Sequence, residues 1–274
     1  MSHDPSGAPG HDIDPIPTRV GWSLPGDHYW FGRLLGAELA GNTGVPQLLA
    51  HAVGSGDLDN EALAVLDDLA TVMSVADPRI WPLKLGRVVA SYGNGMAAIA
   101  AVELAFDSDY IGPWTCRQAA QLLVDLREEL GPEIETPAAV ERAVLRRLGQ
   151  KGRLIGFGVP ARGEDERVVA LRACMTKRGR RHLPAWALLE QVSEVLYRER
   201  RLRPNIGLGV GAAALDAGFQ PDQIGYLAVA LMQNVIVANA VEGAAQAPAV
   251  LRQLPAGTVI YKGAPPRRSP RALE

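Results

Sequence analysis

The chain has 274 residues, 47% of them hydrophobic and 21% charged, with a formal net charge of −2. That length can bury a substantial core in one large domain or two unequal ones, and the charge balance gives no electrostatic reason to expect a nucleic-acid partner, because phosphate binding needs a basic excess. Cys116 and Cys174 lie far apart, and His3, His11, His28, His51 and His182 show no ligand spacing, so neither a disulfide framework nor a metal site is expected and a reducing cytoplasm is the natural compartment.

Residues 1–20, rich in Pro, Gly, Asp and Ser, predict a flexible arm without the basic start and apolar run of a signal peptide. Helix patterns follow almost without pause. Residues 60–75 space Leu63, Leu66, Leu69 and Met73 for one helical face. Residues 83–106 are Ala-rich and nearly apolar all round, the pattern of a core helix. Residues 116–130 repeat Ala119, Leu122, Leu123, Leu126 and Leu130. Thr136 and Pro137 mark the start of a helix over 136–149, and Gly149 its end.

Further helices are predicted over 165–178, 184–200, 208–218 and 221–242, with Gly218 and Pro221 dividing the last two. The apolar stretch from Tyr226 to Ala240 is interrupted by Gln233, Asn234 and Asn239 and is short for a membrane span. It reads as a buried helix, and no membrane partner is expected. Only 152–160 and 257–262 carry strand signals, so the fold class is all-α. The tail 266–274 reads as extended.

Arg87 to Gly93 with Ile111-Gly112-Pro113, then Gly156-Phe157-Gly158, then Arg203-Pro204-Asn205-Ile206-Gly207 resemble in that order the citrate synthase and citryl-CoA lyase family in its compact form. Arg87-Val88-Val89-Ala90-Ser91-Tyr92-Gly93 leads through an Ala-rich helix to Ile111-Gly112-Pro113; the family's counterpart ends at a histidine that helps enolise the acyl thioester. Gly156-Phe157-Gly158, followed by Gly163-Glu164-Asp165-Glu166-Arg167, is similar to the family's glycine turn, where histidine and arginine meet a keto acid. Arg203-Pro204-Asn205-Ile206-Gly207-Leu208-Gly209 is similar to the segment carrying the family's aspartate base. The motifs stand in the family's order across residues 20–265. The resemblance implies a helical fold with a large lobe and a smaller one over 126–204, no permanently bound cofactor, and a coenzyme A thioester as substrate.

The departures fall on the chemistry. Thr115 stands where the resemblance puts the first histidine, Val159 and Pro160 where it puts histidine and arginine, and Gly207 where it puts the aspartate. Removing a proton alpha to a thioester needs a base and a donor to steady the enolate, and the side chains of Val159 and Gly207 supply neither. Ordinary citrate synthesis is therefore not expected.

Thr115, Cys116 and Glu242 are the catalytic candidates, with Asp109 and Tyr110 beside the same region. Cys116 near a helix start has two readings, a thiolate activated by backbone amides or a small packing residue. Arg117, Asn205 and Asn239 are substrate-binding candidates, with Asn239 and Glu242 three residues apart on one helix face. Gly156, Gly158, Arg162 and Arg167 are candidates for holding the coenzyme A moiety, as the resemblance implies. The run Lys177 to His182 reads either as a phosphate site or as a charged helix end. Two functions remain open, an acyl-thioester enzyme with non-standard carbon–carbon or acyl-transfer chemistry and a catalytically silent relative. Either is expected as a cytoplasmic homodimer, or paired with a paralogous subunit, because the helices predicted over 83–106 and 221–242 have few polar positions to face water.

Overall fold

The computed structural model describes residues 15–159, 163–248 and 255–264. Most of the predicted arm, Pro160, Arg162 and the tail 266–274 lie outside them. The described chain opens with a small antiparallel sheet of order β1-β2-β3, formed by β1 (Gly21–Leu24), β2 (Asp27–Trp30) and β3 (Arg33–Leu34). Leu24 pairs with Asp27 across Pro25-Gly26, where Gly26 takes φ +97°. Proline at the first turn position and glycine at the second suit a type II turn. Phe31 and Gly32 both have positive φ and join β2 to β3 as a type I′ turn does.

This sheet corrects the sequence reading on two counts. The strands lie before the first helix, in a segment where no strand was expected. Of the two segments that were expected to be strands, the described part of 152–160 forms isolated bridges at Phe157, to Pro204, and at Val159, and 257–262 forms no strand. Gly156 and Gly158 both adopt positive φ, which breaks an extended run.

Eleven α-helices follow among the described residues: α1 (Val45–Ala52), α2 (Asn60–Met73), α3 (Trp81–Ser91), α4 (Gly95–Phe106), α5 (Pro113–Leu130), α6 (Pro137–Lys151), α7 (Glu166–Lys177), α8 (Pro184–Arg200), α9 (Ile206–Asp216), α10 (Pro221–Leu231) and α11 (Gln233–Ala244). The single helix predicted over 83–106 is two, because Gly93 at φ +82° and Asn94 divide it. The helix predicted over 221–242 is interrupted at Met232. By length and composition Pro221–Ala244 is apolar enough to cross a membrane, yet 56% of its apolar window is buried inside the chain's own core. α6 ends at Gly152, φ +70°, and Gly149 lies within it; the left-handed residue closes a helix, and an ordinary glycine does not.

The core centres on α9, whose residues Ile206 to Ala214 are all buried. Its composition, Ile-Gly-Leu-Gly-Val-Gly-Ala-Ala-Ala, presents little volume, so neighbours approach closely. α5, α7, α8, α10 and α2 all pack against it. Gly209 faces Leu171 and Val168 of α7, and Gly211 faces the backbone of α5.

Candidate functional site

The site is built where the first turns of α5, α7 and α9 meet the glycine turn. Gly112 precedes α5 at φ +93°, and a Cβ there would stand 2.5 Å from the Phe106 carbonyl oxygen. Only glycine fits this position, and it sets the entry of α5. The Thr115 hydroxyl donates back to the Gly112 carbonyl at 2.6 Å.

Asn205 caps α9. Its Oδ1 accepts from the Gly207 amide at 3.0 Å, and its Nδ2 donates to the Gly158 carbonyl at 3.3 Å. The Asn205 amide donates to the Gly156 carbonyl at 2.8 Å, and the Gly158 amide donates to Arg203 at 2.8 Å. The turn is thus stitched to the segment ahead of α9. A Cβ on Gly156 would lie 2.9 Å from Leu208 Cβ and 3.3 Å from Ala119 Cβ, so the turn sits directly on α9 and α5. A Cβ on Gly207 would stand 3.1 Å from Thr115 Oγ1. Thr115, Gly156, Gly158, Asn205 and Gly207, far apart in sequence, are therefore one cluster, with Val159 next along the turn.

Sequence reasoning missed Asp165. It is 1% exposed and accepts four hydrogen bonds. Arg167 Nε donates to Oδ1 and Nη2 to Oδ2, both at 2.9 Å. The Arg167 amide donates to Oδ1 at 3.1 Å and the Ile206 amide to Oδ2 at 2.9 Å. Burial alone would raise this carboxyl; the bonds and charge of Arg167 and the two amides outweigh it and hold Asp165 below the ordinary carboxylate range. One acid in Gly163-Glu164-Asp165-Glu166 looks like the next in sequence. A weak signal was available, namely an acid just ahead of a predicted helix, the position of a cap.

Cys116 is 2% exposed. Burial pushes its thiol up to about 12, with the Arg167 charge opposing only in part. That corrects the thiolate reading: the thiol stays protonated at neutral pH, and Cys116 packs in the core. Arg117 points to the other side of α5, where its Nε donates to Asp222 of α10 at 2.7 Å and its guanidinium lies 5.3 Å from the Trp114 ring centre. Asp109 accepts from Gln118 at 3.4 Å, and exposed Tyr110 lies under Arg153.

Asn239 and Glu242 are not in this cluster. Both hold Arg87 of α3, whose Nη1 donates to Asn239 Oδ1 at 3.1 Å and Glu242 Oε2 at 2.6 Å. They form a clasp between α3 and α11. In the Lys177–His182 run, Arg178 Nη2 donates to Asp68 at 3.1 Å and Arg180 Nη2 to the Asp216 carbonyl at 2.8 Å. These two cations tie α7 to its neighbours. The histidines among the described residues sit elsewhere, His28 on β2, His51 on α1 and His182 in the loop before α8.

At the rim of the cluster, Arg203 lies 4.2 Å and Arg201 5.3 Å from the ring centre of Tyr197. Arg203 precedes the Asn205 cap and bonds the glycine turn through its carbonyl. Arg203 therefore borders a cluster whose interior holds a hydroxyl, backbone amides and one buried ion pair, already hydrogen-bonded to one another and to neighbouring carbonyls.

The fold has counterparts among solved structures. A citryl-CoA lyase from Hydrogenobacter thermophilus superposes with a TM-score of 0.76 at 20% identity, covering 94% of this chain and 98% of that one. The fold is that of citryl-CoA lyases and citrate synthases. An ATP citrate lyase from Methanothrix soehngenii, in complex with citrate and coenzyme A, matches at TM-score 0.72 and 15% identity over 96% of this chain and 44% of its own. A Thermoplasma acidophilum citrate synthase, in a ternary complex with carboxymethyl coenzyme A, matches at 0.61 and 16% over 85% of this chain and 60% of its own. No protein-family model and no curated protein matches the sequence. Within this citrate synthase-like fold the Gly112-Pro113 end of the first stretch, the glycine turn and the Asn205–Gly207 segment meet at one place, the junction of Thr115, Gly158 and Gly207.

Proposed function

We propose that the protein binds a coenzyme A thioester at this junction and carries out carbon–carbon bond or acyl-transfer chemistry other than ordinary citrate synthesis. The observation that carries this reading is the stitched cluster itself. The Asn205 cap and the Gly156–Gly158 turn are held together by three hydrogen bonds, from the Asn205 amide, Asn205 Nδ2 and the Gly158 amide. The Thr115 hydroxyl and the Ile206 and Gly207 amides already donate to Gly112, Asp165 and Asn205, so the cations are the groups that support ligand binding here. Arg167 supplies a cation for an anionic group, and Arg201 and Arg203 suit phosphates.

The structural neighbours support the ligand class, since the Methanothrix and Thermoplasma proteins are bound to coenzyme A or its derivative. Calorimetry with coenzyme A and acetyl-CoA tests the proposal. Saturable binding is expected, and no heat up to millimolar ligand rejects it.

A second reading, a catalytically silent relative, is favoured by one observation. The cluster's buried carboxylate is fully engaged and its thiol is protonated, so neither of these two buried groups is ready to take a proton. Binding without turnover of acetyl-CoA, with or without keto-acid acceptors, would select this reading.

We further propose a cytoplasmic homodimer. α4 and α11 pack together, and both carry exposed apolar side chains, Met96 at 81%, Leu104 at 74% and Val241 at 66%. Such a stripe is costly in water and suits a second copy of the same helices.

A further inference from the structure

We propose that Asp165 is a positioning residue that fixes the guanidinium of Arg167 beside the first turn of α9. This rests on the reading of the cluster as a thioester site. Arg167 is the only cation bonded to the buried part of the cluster among the described residues, and its side chain remains 29% exposed. A guanidinium on a flexible stem loses affinity whenever it swings away from its ligand. Here Asp165 holds two of its donors in a two-point fork, through Nε and Nη2. Fork-to-fork pairing fixes the plane as well as the place of the group. Of the five guanidinium N–H donors, the two on Nη1 and the second on Nη2 stay outside the fork and are the ones left for an anionic group of the ligand.

The same carboxylate sets where that plane lies. Asp165 Oδ2 accepts from both Arg167 Nη2 and the Ile206 amide. Ile206 lies between Asn205 and Gly207, the two residues that bring α9 to the glycine turn and to Thr115. One oxygen therefore registers the cation against the α9 amides. A helix cap for α7 alone would need only the bond to the Arg167 amide. The burial of the whole carboxylate and its link to a different helix go beyond capping.

The test compares Asp165→Asn, Asp165→Glu, Arg167→Gln and the double variant Asp165→Asn/Arg167→Gln, with acetyl-CoA as the probe. Asn keeps an acceptor for the Ile206 amide but loses the charge. Asp165→Asn is expected to weaken acetyl-CoA binding by about ten-fold, as does Arg167→Gln, because each removes a charge-assisted contact. The double variant is expected to bind no worse than Arg167→Gln, and Asp165→Glu to recover part of the loss. Additive losses, or wild-type affinity in Asp165→Asn, overturn the proposal.

Nitrogen NMR of the Arg167 Nε–H group gives a readout that needs no ligand. A protected signal is expected in the wild type and its loss in Asp165→Asn; an unchanged signal overturns the positioning role. If the wild type binds no acetyl-CoA, the thioester reading falls, and the NMR result still decides whether Asp165 holds Arg167. Should Asp165→Asn fail to fold, Asp165→Glu takes its place: the longer carboxylate is expected to move the Arg167 Nε–H signal, and a signal left at its wild-type position overturns the proposal.

Discussion

Gly211 of α9 lies so close to Ala120 of α5 that a Cβ on the glycine would stand 3.0 Å from the Ala120 amide nitrogen and 3.2 Å from Cys116 O. About one turn earlier in both helices, Gly207 faces Thr115. The two helices therefore run in the same direction in close contact, and that contact brings Thr115 to the start of α9. Gly211→Ala must push backbone against backbone. It is expected to destabilise the fold by about 1–3 kcal/mol, the usual cost of overpacking, although alanine is the better helix former. Urea unfolding checks this. Acetyl-CoA affinity should fall too, because the helices separate at the site.

Cys116 and Glu242 should be dispensable for any chemistry. The Cys116 thiol is buried and protonated, so thiol reagents are expected to modify half-buried Cys174 first and Cys116 only on unfolding. Cys116→Ala should leave acetyl-CoA binding and any turnover unchanged. Glu242 is committed to Arg87, and Glu242→Gln should likewise leave both unchanged. Loss of turnover in either variant would return that residue to the site.

Acid should unfold the protein partly through Asp165. Its folded pKa is depressed below the unfolded value of about 3.9. The stability it supplies is therefore present above that value and lost as the pH falls through the folded pKa. Asp216 works in the opposite direction. Burial raises its carboxyl, against the bonds it accepts from the Ala185 and Trp186 amides and the charges of Arg180 and Arg127. Its contribution is present below the unfolded pKa and lost as the pH rises through the folded one. Urea midpoints measured across the carboxylate range should show a shallower acid decline in Asp165→Asn than in the wild type. An equally steep decline would mean that Asp165 titrates alike in both states.

The apolar stripe on α4 and α11 should govern assembly. Light scattering at micromolar concentration is expected to give a dimer for the wild type and a monomer for Met96→Glu or Val241→Glu. A monomeric wild type would reject the homodimer. Neither side chain lies in the core, so folding should survive both changes.

Local pattern was legible wherever one helix's own periodicity carries the information. Ala119, Leu122, Leu123, Leu126 and Leu130 are all buried on α5, and α7 and α8 fall within two residues of their predicted ends. Apolar content alone did not reveal helix breaks. Ser91-Tyr92-Gly93-Asn94-Gly95 interrupts the apolar run of 83–106, a turn signal outweighed in the reading by the apolar residues on either side, and the positive φ of Gly93 lets α3 and α4 pack on each other. The three-strand sheet escaped notice because its strands are only two to four residues long and owe their existence to pairing across two tight turns.

By itself the sequence determined a mainly helical chain, a motif order that resembles one family, and the residue types at that family's reactive positions. Periodicity, caps and side-chain chemistry are local properties, and they survive reading in one dimension. Only the tertiary structure decided which of the candidates meet. It joined Thr115 to Gly207 and Asn205 to Gly158, sent Asn239 and Glu242 to a clasp with Arg87, and buried Cys116 where its thiol cannot ionise. It also singled out Asp165 from three consecutive acids. Burial and hydrogen-bond partners depend on which helices lie across from a residue, and a sequence position does not carry that information.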